Sequence, residues 1–142
     1  MAGLLSLVAA SLFTGAAIYI NVAEQPARLA LDDVSLLREW AIAYERGQVM
    51  QASLAILGFM LAAIAWWQTG RPAYLLGGLV LLANWPFTVV VIMPVNRALK
   101  ALPAGGAGSS IRSLVQRWGR LHAVRSVLGG VSVSILLGAL AT

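Results

Sequence analysis

The amino-acid sequence predicts an all-α integral membrane protein, an antiparallel bundle of four transmembrane helices. The chain of 142 residues is 60% hydrophobic and 11% charged, whereas an average soluble domain is about half apolar and about a quarter charged. Four runs with few or no charges are each close to the roughly 20 residues of helix that cross a bilayer core. Most of the Lys and Arg residues lie in the two long segments between these runs, as is typical of loops on one side of a membrane.

The first predicted span covers residues 3–21 and the second covers 48–68. A third span at 73–93 and a fourth at 121–140 complete the bundle, and the chain from 1 to 142 is predicted to form one domain. A spanning segment has to satisfy its own backbone hydrogen bonds, which helices do locally, so all four runs are predicted to be helices. The alternative for the first run is a cleaved secretory signal, but the basic residues that begin such a signal are missing.

The predicted loop at 22–47 contains an amphipathic stretch. Val34, Leu37, Ala41 and Tyr44 recur at helical spacing with charged residues between them. This pattern predicts a helix that lies on the membrane or leads into it. Asp33 is its predicted N-cap.

The predicted loop at 94–120 contains a flexible linker, Pro103–Ser110, that consists mainly of Gly, Ala and Ser. After the linker, Ile111, Leu114, Val115 and Trp118 form the apolar face of a helix. This helix is predicted to continue into the fourth span.

The distribution of basic residues predicts an orientation. Three arginines lie in the loop 22–47 and five Lys or Arg residues lie in 94–120, whereas the opposite side has only Arg71. The positive-inside rule then places both loops in the cytoplasm and both termini outside a bacterial-type inner (plasma) membrane. Because the basic residues flank apolar segments, we expect no nucleic-acid partner. The expected partners are membrane lipid and a lipophilic small molecule. Assembly into a homo-oligomer is also possible from the sequence.

Composition also limits the chemistry. The chain has no cysteine, which excludes disulfides, thiolate metal sites and cysteine nucleophiles. His122 is the only histidine, so a multi-histidine metal site within one chain is excluded. No cofactor is predicted. The alternative is a single metal ion near His122, held together with Glu24, Glu45 or an asparagine.

Polar residues near the ends of the spans predict a site, because a polar side chain in lipid is costly unless it faces a partner or a cavity. In an up-and-down bundle, the end of span one, the start of span two, the end of span three and the start of span four lie at the same level. Helical spacing places the polar residues of spans one, two and four on one face of each helix. The members of these three faces are Asn21 and Glu24, Tyr44 and Gln51, and Trp118, His122 and Arg125.

The third span contributes Asn84, Trp85 and Pro86 near its middle. Pro86 cannot donate a backbone hydrogen bond, so it is predicted to kink the helix and to leave the Leu82 carbonyl free. Asn84 is a buried amide that needs a partner. We expect this segment to form the floor of a pocket.

The order of these motifs resembles the anthrone oxygenase-like family, small four-span membrane proteins long described as a domain of unknown function. The resemblance covers nearly the whole chain. It rests on Asn21-Val-Ala-Glu24-Gln-Pro26, on Trp40, Tyr44 and Arg46, on Asn84 and Thr88, on Pro94-Val-Asn96-Arg-Ala-Leu99, and on Trp118, His122 and Arg125. It implies oxidation of a polyketide anthrone to an anthraquinone by molecular oxygen, without a metal or flavin.

For that activity, His122 is the expected base, because histidine has the ordinary pKa nearest neutrality. Arg125, Asn84 and Asn96 are expected to stabilise the oxyanion, and Glu24 to orient His122. The aromatic rings of Trp85, Trp118 and Tyr44 are expected to stack on the substrate, and Asn21 and Gln51 complete the predicted binding residues. The alternative is a non-enzymatic membrane scaffold or partner subunit that binds lipid or another ligand.

Overall fold

Four long helices form the protein in the computed structural model, which describes residues 1–103 and 109–141. They are α1 (Ala2–Leu29), α2 (Asp33–Thr69), α3 (Pro72–Lys100) and α4 (Ser109–Ala141). Each helix is long and apolar enough to cross a membrane. The helices form a ring in which α1 and α3 each pack against α2 and α4. The predicted all-α fold class is therefore confirmed, and the predicted linker Pro103–Ser110 lies largely outside the described residues.

The helices extend well beyond the predicted spans. α2 has 37 residues, which corresponds to about 55 Å at 1.5 Å per residue, whereas the bilayer core is about 30 Å thick. The segment 22–47 is mostly helix rather than loop, and helix also occupies much of 94–120. The reason is that uncharged runs mark only the part of a helix that lipid surrounds, while amphipathic turns continue the helix past it.

The N-cap of α2 is Asp32 rather than the predicted Asp33. Asp32 has an extended backbone, and its carboxylate accepts hydrogen bonds from the backbone N–H groups of Val34 and Ser35, both at 3.1 Å. Hydrogen bonding by Ser35 is the main cause that lowers the pKa of the Asp32 carboxyl. Asp33 instead begins the helix and pairs with Arg112 of α4, with Nη2 and Oδ1 3.0 Å apart. Two adjacent aspartates fit a cap equally well by sequence, and only the backbone conformation separates them.

Two π-helical turns widen the bundle at one level. The turn Ile20–Glu24 in α1 precedes Pro26, and the turn Thr88–Ile92 in α3 precedes Pro94. Proline lacks an N–H donor and its ring crowds the carbonyl one turn earlier, so an insertion in the helical ladder before each proline has a physical cause. Such turns often occur at functional sites.

α3 is also interrupted near its middle. Its regular helix stops at Leu82, Ala83 forms a turn, and helix resumes at Asn84. The predicted irregularity beside Pro86 is therefore present, three residues before the proline.

Hydrophobic packing holds the bundle at both ends. One cluster includes Phe13, Leu81 and Leu136, and the other includes Trp40 and Val115. Most of the polar residues predicted to form a site lie between the two clusters, whereas Trp118 belongs to the second cluster and Asn96 lies between its members Val95 and Leu99. The site is therefore braced from both sides by packed apolar side chains.

α1 and α4 approach each other closely at Gly129. A Cβ atom at this position would lie 2.6 Å from Thr14 Oγ1 and 3.2 Å from Phe13 Cδ1. Such distances leave no room for a larger side chain, so glycine permits the close packing. The neighbouring Gly130 faces open space.

Candidate active site

Two adjacent cavities lie between the hydrophobic clusters. The larger, of about 270 Å³, lies mainly between α2 and α3 and is lined by Phe13, Gln48, Val49, Gln51, Ala52, Ala55, Asn84, Trp85, Thr88, Val89, Met93 and Arg125. The smaller, of about 40 Å³, is lined by Ile20, Glu24, Arg28, Ala43, Tyr44, Gly47, Gln48, Gln51, Thr88, Ile92, Asn96, Trp118, His122 and Arg125. Gln48, Gln51, Thr88 and Arg125 line both, so these four residues form the boundary between the cavities.

The larger cavity is open towards the outside of the bundle. Its walls are mostly apolar, and Val49, Trp85 and Val89 among them are exposed. These exposed side chains belong to α2 and α3, whose surfaces face lipid if the helices span a membrane. A lipophilic molecule can therefore enter from the side, between α2 and α3.

Three buried polar atoms at the larger cavity lack a hydrogen-bond partner among the residues that the structure describes. Gln51 and Asn84 are 1% and 2% exposed. Within the described part of the chain, Gln51 Nε2, Asn84 Oδ1 and Arg125 Nε have no hydrogen-bond partner. Leaving a buried polar group unsatisfied costs about 1–3 kcal/mol, so these atoms are candidates to bind a ligand. They offer two donors and one acceptor.

The orientation of Asn84 follows from the interruption in α3. Its Nδ2 donates to the Leu81 carbonyl at 2.9 Å. The other side of the amide, Oδ1, remains unpaired among the described residues. Next to it, Trp85 Nε1 donates to the Ala52 carbonyl at 3.3 Å. This bond joins α3 to α2 beside the cavity.

His122 lies in the smaller cavity and is 2% exposed. Its Nδ1 is 3.0 Å from Asn21 Oδ1. Its ring stacks on Trp118, with centroids 4.9 Å apart and planes inclined by 27°. The side chain is thus held by contacts on α1 and α4 and does not turn out of the bundle.

Trp118 and Tyr44 are packed against other protein side chains. Trp118 contacts Trp40 edge-on at 6.2 Å, Tyr44 stacks on Trp40 at 5.2 Å, and the Arg28 guanidinium lies 5.3 Å from the Trp118 ring centroid. Both predicted stacking residues line only the smaller cavity, which is too small for a molecule of three fused rings. Trp118 and Tyr44 therefore stack on protein side chains and do not lie where they could stack on such a molecule, contrary to expectation. Of the three aromatic residues expected to stack on the substrate, only Trp85 lines the larger cavity.

Glu24 does not contact His122 as predicted. It pairs with Arg28, four residues later on α1. Arg28 is 2% exposed and also pairs with Glu39 of α2, with Nε and Oε2 2.6 Å apart. A buried guanidinium needs compensating charge, and Glu24 supplies it to Arg28. The side chain that contacts His122 is Asn21 instead.

The structure brings nine of the ten predicted site residues to the two cavities. Gln51, Asn84, Trp85 and Arg125 line the larger one, and Glu24, Tyr44, Gln51, Asn96, Trp118, His122 and Arg125 line the smaller one. Asn21 lines neither. Its amide contacts His122, Ser126 and the Gly119 carbonyl inside the protein, so the substrate-binding role predicted for Asn21 does not fit its position.

Gln48, Thr88 and Arg28 also line the cavities but are not among the predicted site residues. Gln48 lies four residues after Tyr44 and three before Gln51, so its place on the same face of α2 was readable from spacing. Arg28 follows Glu24 by four residues, which predicts an ion pair but not its burial. Thr88 is one of the residues that carry the family resemblance, but helical spacing does not place it on a polar face.

The described residues, 1–103 and 109–141, contain no group of three or more His, Cys, Asp or Glu side chains arranged to hold a metal ion. Glu45, one of the alternative ligands, lies 3.9 Å from Lys100 Nζ. The arrangement supplies an imidazole, a guanidinium and amides beside an apolar space, which suits proton transfer and stabilisation of an anion.

Comparison with known proteins gives one family. The sequence profile of the family described as Anthrone oxygenase matches residues 40–135. Anthrone oxygenase tpcL of Aspergillus fumigatus is 29% identical over 133 residues, which cover 86% of this chain and 82% of that protein. Anthrone oxygenase ptaC of Pestalotiopsis fici is 30% identical over 125 residues, covering 75% and 85%. An anthrone oxygenase of Claviceps purpurea is 30% identical over 110 residues, covering 68% and 63%. No solved structure matches the chain.

Proposed function

Because the chain belongs to the anthrone oxygenase family, we propose that it is a membrane-embedded oxygenase that acts on an anthrone-type substrate. The observation that carries the proposal is the larger cavity, an apolar space reached from the side of the bundle. At this cavity lie Gln51, Asn84 and Arg125, whose buried polar atoms lack partners among the described residues. A flat lipophilic molecule with a carbonyl oxygen and a hydroxyl group supplies an acceptor for Gln51 Nε2 and Arg125 Nε and a donor for Asn84 Oδ1.

The proposed reaction converts the central methylene of anthrone into a carbonyl. One atom of O2 becomes the new carbonyl oxygen, and the other leaves as water with the two methylene hydrogens. The substrate itself supplies the electrons that reduce the second oxygen atom, so anthrone and O2 balance against anthraquinone and water. No external reductant is required.

His122 is the proposed base. Removal of a methylene proton gives an anion delocalised onto the carbonyl oxygen, and this electron-rich anion passes one electron to O2. The resulting radical and superoxide combine at the former methylene carbon, and the proton held by His122 converts the adduct to a hydroperoxide. Loss of the second C–H proton to His122 then breaks the O–O bond, and the departing hydroxide leaves as water by taking that proton.

The position of His122 suggests how the proton is transferred. His122 lines the smaller cavity but not the larger one. The smaller cavity, of about 40 Å³, has room for one water molecule, whose share of liquid volume is about 30 Å³. The proton can therefore pass to His122 through a water, or directly if the reacting carbon projects past Gln51 and Arg125.

Arg125 and Gln51 are the proposed stabilisers of the anion. Arg125 lies at the boundary between the cavities, with its guanidinium carbon 5.4 Å from the Phe13 ring centroid. Its Nε and Gln51 Nε2 are donors that can bind the carbonyl oxygen as negative charge develops there. Donors already in place for a developing charge accelerate a reaction most in a site shielded from water.

Turnover in a membrane mimic tests the proposal. Purified protein in lipid nanodiscs is mixed with anthrone in air-saturated buffer, and formation of anthraquinone is followed above the rate in empty nanodiscs. We expect His122→Ala and Arg125→Ala to lower kcat/KM about 100-fold or more while far-UV circular dichroism stays unchanged. Arg120→Ala, an exposed arginine on the same helix, is the matched control and keeps the wild-type rate. Full activity in both site variants contradicts the proposal.

One observation favours the alternative of a non-enzymatic scaffold. Arg28, Trp40, Trp118 and His122 form a packed network that joins α1, α2 and α4, as expected if the polar cluster only holds helices together. For a scaffold, we expect no wild-type turnover above the empty-nanodisc rate and unfolding of the His122→Ala variant. Metal analysis of the purified protein tests the further variant in which one ion binds near His122.

A further inference from the structure

We infer that Asn21 is a positioning residue that holds His122 as the Nδ1–H tautomer and leaves Nε2 as the basic nitrogen. This inference rests on the proposed function for its catalytic meaning. The geometry behind it involves three contacts of one amide group, on α1, with three groups on α4.

The amide of Asn21 has one orientation that satisfies its neighbours. Its Nδ2 donates to the Gly119 carbonyl at 2.9 Å, and its Oδ1 accepts from Ser126 Oγ at 3.0 Å. If the amide were flipped, Oδ1 would face the Gly119 carbonyl, and two acceptors would meet without a proton. Oδ1 therefore faces His122.

The tautomer of His122 follows from that orientation. Asn21 Oδ1 is only an acceptor, and it lies 3.0 Å from Nδ1 of the ring. A hydrogen bond at this distance requires the proton on Nδ1, because an unprotonated Nδ1 would place two lone pairs against each other. An isolated histidine side chain prefers the proton on Nε2, so the contact with Asn21 reverses the ordinary preference.

The consequence for the reaction concerns which nitrogen can take a proton. With Nδ1 engaged by Asn21, Nε2 is the ring nitrogen left for the smaller cavity that His122 lines. When Nε2 accepts a proton, the bond from Nδ1–H to Asn21 is kept and becomes charge-assisted, which strengthens it. Stacking on Trp118 at 4.9 Å keeps the ring plane in place. Asn21 thus orients the base without touching the substrate.

Nuclear magnetic resonance can read the tautomer directly, because His122 is the only histidine in the chain. Full-length protein is labelled with ¹⁵N-histidine and measured in nanodiscs at a pH where the ring is neutral. We expect the wild type to have a protonated Nδ1 and an unprotonated Nε2. Asn21→Leu is expected to move the population towards the Nε2–H form, whereas Asn21→Asp, which keeps an acceptor at this position, is expected to retain the Nδ1–H form.

Kinetics provide the second measurement. If the wild type turns over anthrone, Asn21→Leu is expected to lower kcat at least about 10-fold with little change in KM, and Asn21→Asp to restore most of it. A wild-type ring protonated on Nε2, or a tautomer that does not change in Asn21→Leu, overturns the inference. Absence of turnover in the wild type contradicts the proposed function but leaves the resonance result decisive for the tautomer, so the two failures are distinguishable.

Discussion

At the scale of single residues, the site contains two kinds of buried polar side chain. One kind forms hydrogen bonds or ion pairs within the protein, and the other keeps a polar atom without a hydrogen-bond partner among the described residues. Asn21 and Arg28 have their partners inside the protein, and they hold His122 and the aromatic side chains in place. At Gln51, Asn84 and Arg125, the described residues leave one buried polar atom each without a partner. The first group stabilises the fold, whereas the second lowers its stability and, in the proposed function, binds the substrate.

Gln51→Leu tests this division. The variant removes a buried amide nitrogen that has no partner among the described residues and replaces it with an apolar side chain of similar size. We expect the free energy of unfolding to stay the same or rise, because the desolvation cost of the amide disappears. We expect kcat/KM for anthrone to fall about 10-fold, through the loss of one hydrogen bond to the developing anion.

Thermal unfolding in detergent and turnover in nanodiscs measure the two effects on the same preparation. Gln68→Leu, at an exposed position near the other end of α2, is the matched control and should change neither. A Gln51→Leu protein that is destabilised but fully active would mean that Gln51 is a structural residue.

How far the sequence predicts the site depends on the kind of residue. His122 and Arg125 on α4 and Gln51 on α2 are predicted because each is a polar residue at matching depth in a largely apolar segment. The partner of His122 is not predicted correctly, since Glu24 and Asn21 lie on one face of α1 and a carboxylate is the more obvious partner for an imidazole. Glu24 pairs with the buried Arg28 and is therefore not available to His122, and this burial cannot be predicted from the sequence.

At the scale of elements, the helices reach their positions through irregularities and small residues. The π-helical turns Ile20–Glu24 and Thr88–Ile92 both contribute side chains to the smaller cavity. Pro26 and Pro94 are visible in the sequence. A proline predicts that a helix is distorted, but it does not predict that the distortion is a π-helical turn. α1 and α3 extend beyond the predicted spans, because charged residues end a hydrophobic run without ending a helix.

Adjacent glycines on α4 offer a sharp test of helix packing. Gly129→Leu places a side chain where Thr14 and Phe13 leave no space, so we expect it to force α1 and α4 apart and to lower the free energy of unfolding by about 1–3 kcal/mol. Gly130→Leu makes the same change in helix propensity but faces open space, so we expect the free energy of unfolding to stay the same or to rise by up to about 1 kcal/mol. Loss of helical circular dichroism during titration with sodium dodecyl sulfate measures both variants. Equal destabilisation of the two would contradict the close approach of α1 and α4.

At the scale of the whole molecule, the arrangement of the helices determines what the site can receive. Two hydrophobic clusters pack the ends of the bundle, and the larger cavity lies between them with exposed residues of α2 and α3 in its walls. In the proposed function, a substrate dissolved in lipid reaches the cavity without crossing water. The antiparallel order of the helices is predictable, because each successive span crosses the membrane in the opposite direction. The cavity depends on how side chains pack and is not predictable.

The orientation in the membrane is a separate prediction. The relatives come from fungi, so the bacterial-type inner membrane and the outward termini remain predictions from the positive-inside rule. The chain has no cysteine, so single cysteines can be introduced one at a time and labelled with an impermeant maleimide in intact cells. We expect a cysteine at Gly70 to react from outside and a cysteine at Ala101 to react only after the membrane is opened. The reverse pattern would invert the orientation.

The most direct test of the account is to fill the larger cavity without changing any polar group. Ala52→Phe places a ring in the cavity between α2 and α3, whereas Leu57→Phe adds a ring at an exposed position on the same helix. In nanodiscs, with folding verified by circular dichroism, we predict that Ala52→Phe loses at least about 90% of anthrone turnover because substrate can no longer bind, and that Leu57→Phe keeps the wild-type rate. Wild-type turnover by folded Ala52→Phe would contradict the claim that this cavity is the active site.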